Sequence, residues 1–283
     1  MVALTDGDRR ALTADVLRIT KANRALASAA LSEQWPFALI QAESPAWVGS
    51  RLWGTNKAVT GIRIALQRAP LASSEQGRGL AELARSNLEN TVALATLARG
   101  SLEALARVEW VLSSASADEL LVRHASLEFA DFRYPEQQNV LVHHRGRDQK
   151  VPADTYRRAI NEVLAPFGLK ANKIGPTELA TGLLDGLYHN GAWLYSGLSA
   201  SAHGHEWATG NFFDMDTGAL ERDDQMIIEY CAYVIESTIH VSDRLIAALV
   251  PVQSGVDRWV SNRTAVQAQF GSILERRDRA TIG

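Results

Sequence analysis

A short stretch in the second half of the chain places three groups capable of chemistry on one helical face. Tyr195, Ser199 and His203 follow one another at intervals of four residues, the spacing that aligns side chains along an α-helix. Because imidazole titrates near neutral pH, His203 is a candidate proton carrier, and Tyr195 and Ser199 are candidate ligand-binding groups. The alternative is a packing role, since the neighbouring residues are mostly small.

Charged residues interrupt the apolar face of a helix that the periodicity predicts over residues 80–113. Arg99 lies at one edge of that face with Glu103 one turn later, and Glu109 lies among leucines. A buried charge is costly unless it is paired, so each should have a partner on another helix or line a cleft. We assign Arg99 and Glu103, with His203, to a candidate catalytic site in a polar pocket, and Glu109 to ligand binding. The alternative is structural, with an Arg99–Glu103 pair inside the helix and Glu109 tied to a neighbouring helix.

Histidine and carboxylate residues also raise the hypothesis of a metal centre. The candidate ligands are His124 with Glu128, Glu236 with His240, and His203 with His205 and Glu206. Helical bundles hold di-iron centres with such ligands. The Glu-x-x-His spacing of those centres is absent from the sequence. We therefore predict no metal and no cofactor, and a metal-dependent helical-bundle oxygenase is kept as an alternative function.

Two motifs of the chain resemble those of a known group of proteins. Residues 99–110 fit Arg-x3-Glu followed by Trp, and residues 195–204 fit Tyr-x2-Leu-Ser-x3-His-Gly. Together they resemble a group of uncharacterised, mainly actinobacterial helical proteins that is similar to the HEPN-like superfamily. The resemblance implies a helical homodimer that binds or processes a nucleotide or RNA, in a defence or toxin–antitoxin setting.

The chain departs from that superfamily at one position. Its ribonucleases carry an Arg-x4-6-His pair, whereas Leu198 stands at the corresponding place before His203. The resemblance therefore implies a related scaffold without the usual catalytic pair. Arg99 or Arg123 is the candidate to supply the missing cation from another helix, and Arg123 is included among the ligand-binding residues. A non-catalytic interaction module is the third hypothesis for the function.

The elements that would position these residues are almost all helices. Apolar residues recur with a period of 3.6 over most of the chain, and alternating runs typical of strands are scarce. We predict an all-α bundle or array of about eight to nine helices, with one short non-helical or hairpin segment at residues 206–218. Ser116-Ala-Asp-Glu119 is a capping box that predicts a helix start, and Pro152 and Pro176 predict two more.

Turn-forming residues suggest the division of the chain. The Pro-, Ser- and Gly-rich residues 70–79 predict a linker that precedes the helix over 80–113. We accordingly predict an N-terminal helical extension over residues 1–69, a HEPN-like core over residues 79–250, and a C-terminal helix and tail over residues 251–283.

Composition limits the class of protein further. Of the 283 residues, 46% are hydrophobic and 22% charged, which is typical of a globular chain. The net charge of −3 provides no general attraction to phosphate backbones. Cys231 is the only cysteine, so neither an intrachain disulfide nor a cysteine-rich zinc site can form. No apolar run approaches the ~20 residues of a membrane span and the N-terminus lacks signal-peptide features, so we expect a cytoplasmic protein without a membrane partner.

Overall fold

The prediction of an all-α fold is confirmed in the computed structural model. The structure describes residues 4–29, 58–86, 91–133, 137–143, 150–210, 216–217, 223–248 and 253–282. Ten α-helices lie within these ranges. In chain order they are α1 (Asp6–Ala29), α2 (Ala58–Arg85), α3 (Thr91–Leu112), α4 (Ala117–Asp131), α5 (Ala153–Leu164), α6 (Pro176–Tyr188), α7 (Gly191–Ala202), α8 (Glu206–Thr209), α9 (Asp224–Ala248) and α10 (Gln253–Ile282).

The helix α1 begins and packs as its sequence predicts. The Thr5 hydroxyl accepts a hydrogen bond from the backbone N–H of Asp8 at 3.1 Å, which satisfies one of the unpaired donors of the first turn. The apolar residues of α1 recur at helical spacing and are fully buried. They are Leu12, Val16, Ile19 and Ala27. This face packs against α2, α9 and α10.

The predicted linker at residues 70–79 is wrong, because α2 continues through it with Pro70 in its interior. The Pro70 carbonyl accepts hydrogen bonds from the Ser74 hydroxyl at 2.7 Å and the Asn23 amide of α1 at 3.2 Å. A Cβ atom added to Gly77 would lie 2.5 Å from Thr20 Cγ2, so the two helices approach as closely as glycine allows. Tertiary packing therefore overrides the turn preference of these small residues.

The continuity of α2 changes two further boundaries. Residues 80–85 belong to α2, and α3 begins only at Thr91, so the single helix predicted over 80–113 is wrong. Residues 70–78, which separate the predicted extension from the predicted core, fall inside α2, and the division into domains itself stays a prediction. The two helices are held together by a buried hydrogen bond between the Ser73 and Ser101 hydroxyls, whose oxygens are 2.8 Å apart.

The short hairpin lies in a different place from the one predicted. β1 (Leu141–His143) pairs antiparallel with β2 (Lys150–Pro152). Residues 206–209 instead form the single helical turn α8, in which the Ala208 N–H donates to the His205 carbonyl at 2.9 Å. Each strand has a valine at its centre, and Val142 pairs with Val151 across the hairpin. Such β-branched residues favour strands, whereas residues 206–209 carry few of them. Most of the remainder of the predicted segment, residues 211–215 and 218, lies outside the described residues.

The three helix starts predicted at Ser116, Pro152 and Pro176 are confirmed. The Ser116 hydroxyl accepts from the Glu119 N–H at 3.1 Å at the start of α4. The start predicted at Pro152 corresponds to α5, which a 3₁₀ turn extends over Ala165–Phe167, and Pro176 is the first residue of α6.

A tight turn joins α6 to α7 and sets the position of the helix that carries the predicted site. α6 ends at Tyr188, and its C-cap residue His189 has a left-handed φ of 61°. The Asp185 carboxylate then accepts a hydrogen bond from the N–H of Gly191 at 2.5 Å. A Cβ atom at Gly191 would lie 2.3 Å from the carbonyl oxygen of Thr181. The backbone of α7 therefore approaches α6 at a distance that only glycine permits.

The helix α3 lies at the centre of the fold. It packs against α2, α4, α6, α7 and α9. Its apolar residues, among them Leu94, Ala98, Leu102 and Leu105, are fully buried. Among the helices that the structure describes, none combines the length and apolar character that a membrane crossing requires.

One charged residue of α1 is buried without compensation. Asp15 is inaccessible to solvent and its carboxylate makes no hydrogen bond within the described structure. Desolvation raises the pKa of the Asp15 carboxyl to about 6, against the opposing attraction of Arg18. Because the folded state binds this proton more tightly than the unfolded chain, the contribution of Asp15 to stability decreases as pH rises from about 4 to about 6.

We expect Asp15→Asn to stabilise the protein above pH 6, because the neutral amide carries no buried charge. The gain in the free energy of unfolding at pH 8 should be on the order of 2 kcal/mol and should vanish near pH 4. Urea unfolding at both pH values measures it. The exposed Glu162→Gln on α5 is the matched control and should show no such difference. Equal stability of Asp15→Asn and the wild type at pH 8 would contradict the burial of an ionised carboxylate.

We expect Gly191→Ala to destabilise the protein by about 3 kcal/mol, because its methyl group would overlap the backbone of α6. Gly186→Ala on α6 is the control, since its Cβ atom would meet nothing within 4 Å. That substitution should stabilise the helix by roughly 0.5–1 kcal/mol. Thermal unfolding measures both changes, and similar shifts of Tm for the two variants would contradict the close contact of α6 with α7.

Candidate functional site

Four polar side chains from α3 and α7 meet at one place. Arg99 Nε lies 2.7 Å from Glu103 Oε1 on the same helix, and 3.3 Å from the Tyr195 hydroxyl of α7. The Tyr195 hydroxyl in turn donates to Glu103 Oε1 at 2.5 Å. Arg99 Nη1 contacts Nε2 of His203. The structure therefore brings together two groups from α3 and two from α7 or its C-cap, and we call these four residues the Arg99 cluster.

The Arg99 cluster extends from the protein interior to its surface. Tyr195 is only 2% exposed, the side chains of Arg99 and Glu103 are 22% and 26% exposed, and His203 is exposed. The Arg99–Glu103 ion pair is thus partly removed from water, whereas His203, at the outer end of the cluster, is exposed to solvent. Partial burial strengthens the hydrogen bonds that Arg99, Glu103 and Tyr195 make with one another.

The pKa shifts follow from this burial. The pKa of the Tyr195 phenol is raised, first by desolvation and then by its hydrogen bond to Glu103, against the lowering effect of Arg99. Desolvation acts to lower the pKa of Arg99, but its hydrogen bonds to Glu103 and Tyr195 outweigh this effect and raise it. Tyr195 therefore stays a neutral hydrogen-bond donor and Arg99 a cation.

His203 lies at the C-cap of α7, where the chain leaves the helix. Its N–H donates to the Ser199 carbonyl at 3.0 Å, and Gly204 follows with a left-handed φ of 66°. The His203 ring lies against that of His205, with centroids 6.0 Å apart. Arginine has donors only, so its contact with His203 Nε2 is a hydrogen bond when that nitrogen carries a lone pair. The contact therefore suits an Nε2 that carries a lone pair, on a residue that is exposed to solvent.

The remaining predicted site residues are placed differently. Ser199 is half-buried on α7, one turn before His203. Glu109 accepts from the Ser113 hydroxyl at 2.8 Å and forms ion pairs with two residues of α9. Arg123 lies on α4, where it pairs with Glu119 at 2.5 Å. Glu109 and Arg123 thus lie outside the Arg99 cluster, each with its own partners.

The partners of Glu109 agree with the structural alternative for this residue. They are Arg244, with Nε 3.1 Å from Glu109 Oε2, and His240, with Nε2 at 3.4 Å. The intrahelical pair of Arg99 with Glu103 likewise belongs to that alternative, but the contacts with α7 go beyond it. Arg123 stacks over Trp110 with its Cζ atom 5.5 Å from the ring centroid and donates to the Trp110 carbonyl, which ties α4 to α3.

No residue of the Arg99 cluster lines any of the three cavities described next, and the polar pocket predicted around the cluster stays a prediction. The largest of them, about 380 Å³, lies between α2, α3 and α4 with His124 and Glu128 in its wall. A second, about 280 Å³, lies beside Glu109 and Trp110, between α3 and α6. A third lies at α7, α8 and α9.

Within the ranges that the structure describes, no three residues of the metal-ligating types lie together as a metal site. His124 Nε2 is 3.7 Å from Glu128 Oε1, and His240 is paired with Glu109. The di-iron hypothesis therefore gains no support from these residues.

Two features of the site were missed by sequence reasoning. The stacking of His205 on His203 was not predicted, although the His-Gly-His sequence allows the two rings to meet when the glycine is left-handed, as it is here. The sequence predicts that Glu109 has a partner on another helix, but it does not predict that this helix is α9. The partner could not be identified because Arg244 and Glu109 are 135 residues apart in sequence.

The chain gives no match when it is compared with family models, with curated proteins or with solved structures. The resemblance to the HEPN-like superfamily therefore stays a prediction. The chemistry of the Arg99 cluster is then the basis on which a function can be proposed.

We expect Tyr195 and Glu103 to be energetically coupled, because the phenol donates to a partly buried carboxylate. A double-mutant cycle of Tyr195→Phe and Glu103→Gln should give a coupling energy of about 1–2 kcal/mol. Urea unfolding of the wild type, the two single variants and the double variant measures it. Additive effects of the two substitutions would contradict the hydrogen bond between them.

Proposed function

We propose that the Arg99 cluster binds a phosphate group of RNA or of a nucleotide, and that the protein is a HEPN-like member of the nucleotide- and RNA-handling proteins. The observation that supports this best is the contact between the Arg99 guanidinium and the His203 imidazole, 104 residues apart in sequence. A cation and a titratable imidazole side by side at the surface form a site for phosphodiester chemistry.

Each residue of the cluster has a separate role in this proposal. The Arg99 guanidinium binds the non-bridging phosphate oxygens, for which its planar fork of donors is well suited. Glu103 and Tyr195 are positioning residues, since they hold Arg99 Nε from the inner side. Arg99 thereby takes the place of the arginine that HEPN-like ribonucleases carry on the helix of the histidine.

His203 is the catalytic residue if RNA is cleaved. When a phosphate takes over Arg99 Nη1, the lone pair of His203 Nε2 is released from its contact with that guanidinium. It then removes the proton of a ribose 2′-hydroxyl, and that oxygen attacks the adjacent phosphorus. The bond from phosphorus to the 5′-oxygen breaks, the 5′-oxygen takes up a proton from water, and a 2′,3′-cyclic phosphate remains. Arg99 stabilises the charge that develops on the phosphate oxygens in this step.

The charge of the Arg99 cluster favours contact with only one or two phosphates of the ligand. The chain carries a net charge of −3, so affinity must come from the Arg99 cluster and the neighbouring His205 rather than from the protein as a whole. One or two phosphate contacts predict a weak dependence of affinity on salt. The homodimer and the defence setting belong to the same proposal.

We expect Arg99→Ala and His203→Ala to weaken the binding of a labelled single-stranded RNA about tenfold or more, because each removes a charge-assisted contact with phosphate. Fluorescence anisotropy measures the affinity, and competition with AMP distinguishes a mononucleotide site from an RNA site. The matched controls are Arg258→Ala on α10 and His189→Asn at the left-handed end of α6, both exposed. They should bind as the wild type does.

Three outcomes would contradict the proposal. They are wild-type protein that binds neither RNA nor AMP, control variants that lose affinity as much as the cluster variants, and cluster variants that unfold below room temperature. Circular dichroism melting of every variant tests the last of these. Cleavage by the wild type and binding without cleavage by His203→Ala would assign His203 to the chemical step.

A further inference from the structure

A second polar and aromatic site lies on another side of α7. It is a cavity of about 220 Å³ formed by α7, α8 and the first half of α9. Four of its eleven lining residues are aromatic, and the others include two leucines, one methionine and one carboxylate. The residues that define it are Trp193, Trp207, Met226, Glu229, Tyr230 and Tyr233, and we call it the aromatic cavity.

The aromatic side chains leave much of their surface to a ligand. Trp193 and Trp207 are 74% and 65% exposed, a large fraction for indole rings on a helical surface. Tyr233 is fixed by an edge-on contact with Tyr188, with ring centroids 5.5 Å apart. Two exposed indoles at the rim and a fixed phenol in the wall thus present several π-faces to one space.

The charge of the aromatic cavity is negative. Among the residues that the structure describes, Glu229 is the one carboxylate in its wall, and none of the lysines or arginines in that part of the chain lines it. The carboxylate accepts a hydrogen bond from the Gln225 amide, a neutral partner that leaves its charge in place. Burial and then Glu229 raise the pKa of the Tyr233 phenol, and burial with Glu229 and Asp223 does so for Tyr230. Burial is the larger cause of both shifts, and the carboxylates add to it.

We propose that the aromatic cavity binds a small organic cation, an alkylated ammonium group. Aromatic faces attract such a cation through their quadrupoles, and a carboxylate in the same wall adds a direct electrostatic attraction. The volume lies below the roughly 300–1,000 Å³ of drug-sized pockets, so the ligand has few heavy atoms. A Ca²⁺ or Mg²⁺ ion needs about six oxygen ligands, and the single carboxylate of this wall cannot supply them.

This site is separate from the Arg99 cluster. Trp193 and Tyr195 are two residues apart on α7, and side chains two residues apart point roughly 160° from each other around a helix. The aromatic cavity includes Trp193 and Gly197, whereas Tyr195 belongs to the cluster. The ammonium proposal therefore does not depend on the proposed function.

The test uses choline chloride and its neutral isostere 3,3-dimethyl-1-butanol on the full chain. Choline should bind saturably, with quenching of tryptophan fluorescence and measurable heat in titration calorimetry. The neutral isostere should bind at least about tenfold more weakly, since it has the same shape without the charge. Glu229→Gln should weaken choline binding about tenfold, and the exposed Glu162→Gln should leave it unchanged. Arg99→Ala should leave it unchanged as well, which separates this result from the test of the RNA site.

A second variant protects the test against misfolding. Trp193 is largely exposed, so Trp193→Leu should fold normally and still reduce choline affinity about fivefold or more in calorimetry. Three results would overturn the proposal. The first is equal affinity for choline and its isostere, which indicates an apolar cavity only. The second is saturable binding of guanosine in place of choline, which indicates a nucleobase site. The third is no saturable binding of any of the three probes.

Discussion

The arrangement of the site depends on the need to pair one partly buried guanidinium. Arg99 lies at the contact of α3 with α7, where water is mostly excluded, and an unpaired charge there would be strongly destabilising. Glu103 provides the opposite charge from the same helix, and Tyr195 donates to that carboxylate from α7. These hydrogen bonds fix the guanidinium from the inner side, so that Nη1 reaches His203 in a defined direction. The contact between Arg99 and His203 therefore depends on the hydrogen bonds that Glu103 and Tyr195 make with the guanidinium.

Close backbone contacts give these hydrogen bonds their geometry. Gly191 brings the start of α7 against the backbone of α6, and α6 packs on α3, so the three helices have little freedom to shift. The same device appears at Gly77, where α2 meets α1. A difference of one methyl group at either place would displace a helix by more than the tolerance of a hydrogen bond. The small residues of this chain thus act as spacers that place polar groups within reach.

The sequence predicts the parts of the structure that depend on local patterns. Helical periodicity, the capping box at Ser116 and the proline starts predict the elements correctly, and charges on an apolar face predict that Arg99 has partners on another helix. The failures have a common cause. A segment rich in serine and glycine has the same composition whether it forms a turn or a close contact between helices. The sequence of residues 70–79 therefore predicts a linker where α2 is continuous. The partner of Glu109 depends on tertiary contacts with α9, which no local pattern contains.

The two sites proposed on α7 have opposite charge, and the width of the helix between them keeps these charges apart. The Arg99 cluster presents a guanidinium and imidazoles, whereas the aromatic cavity presents Glu229. An α-helix with its side chains is roughly 10 Å wide, which is similar to the Debye length of about 8 Å at physiological salt. Charges on opposite faces are therefore largely screened from each other. Each face keeps its own selectivity, and an anion bound at one and a cation bound at the other interact weakly, so one 12-residue helix can serve both without neutralising either.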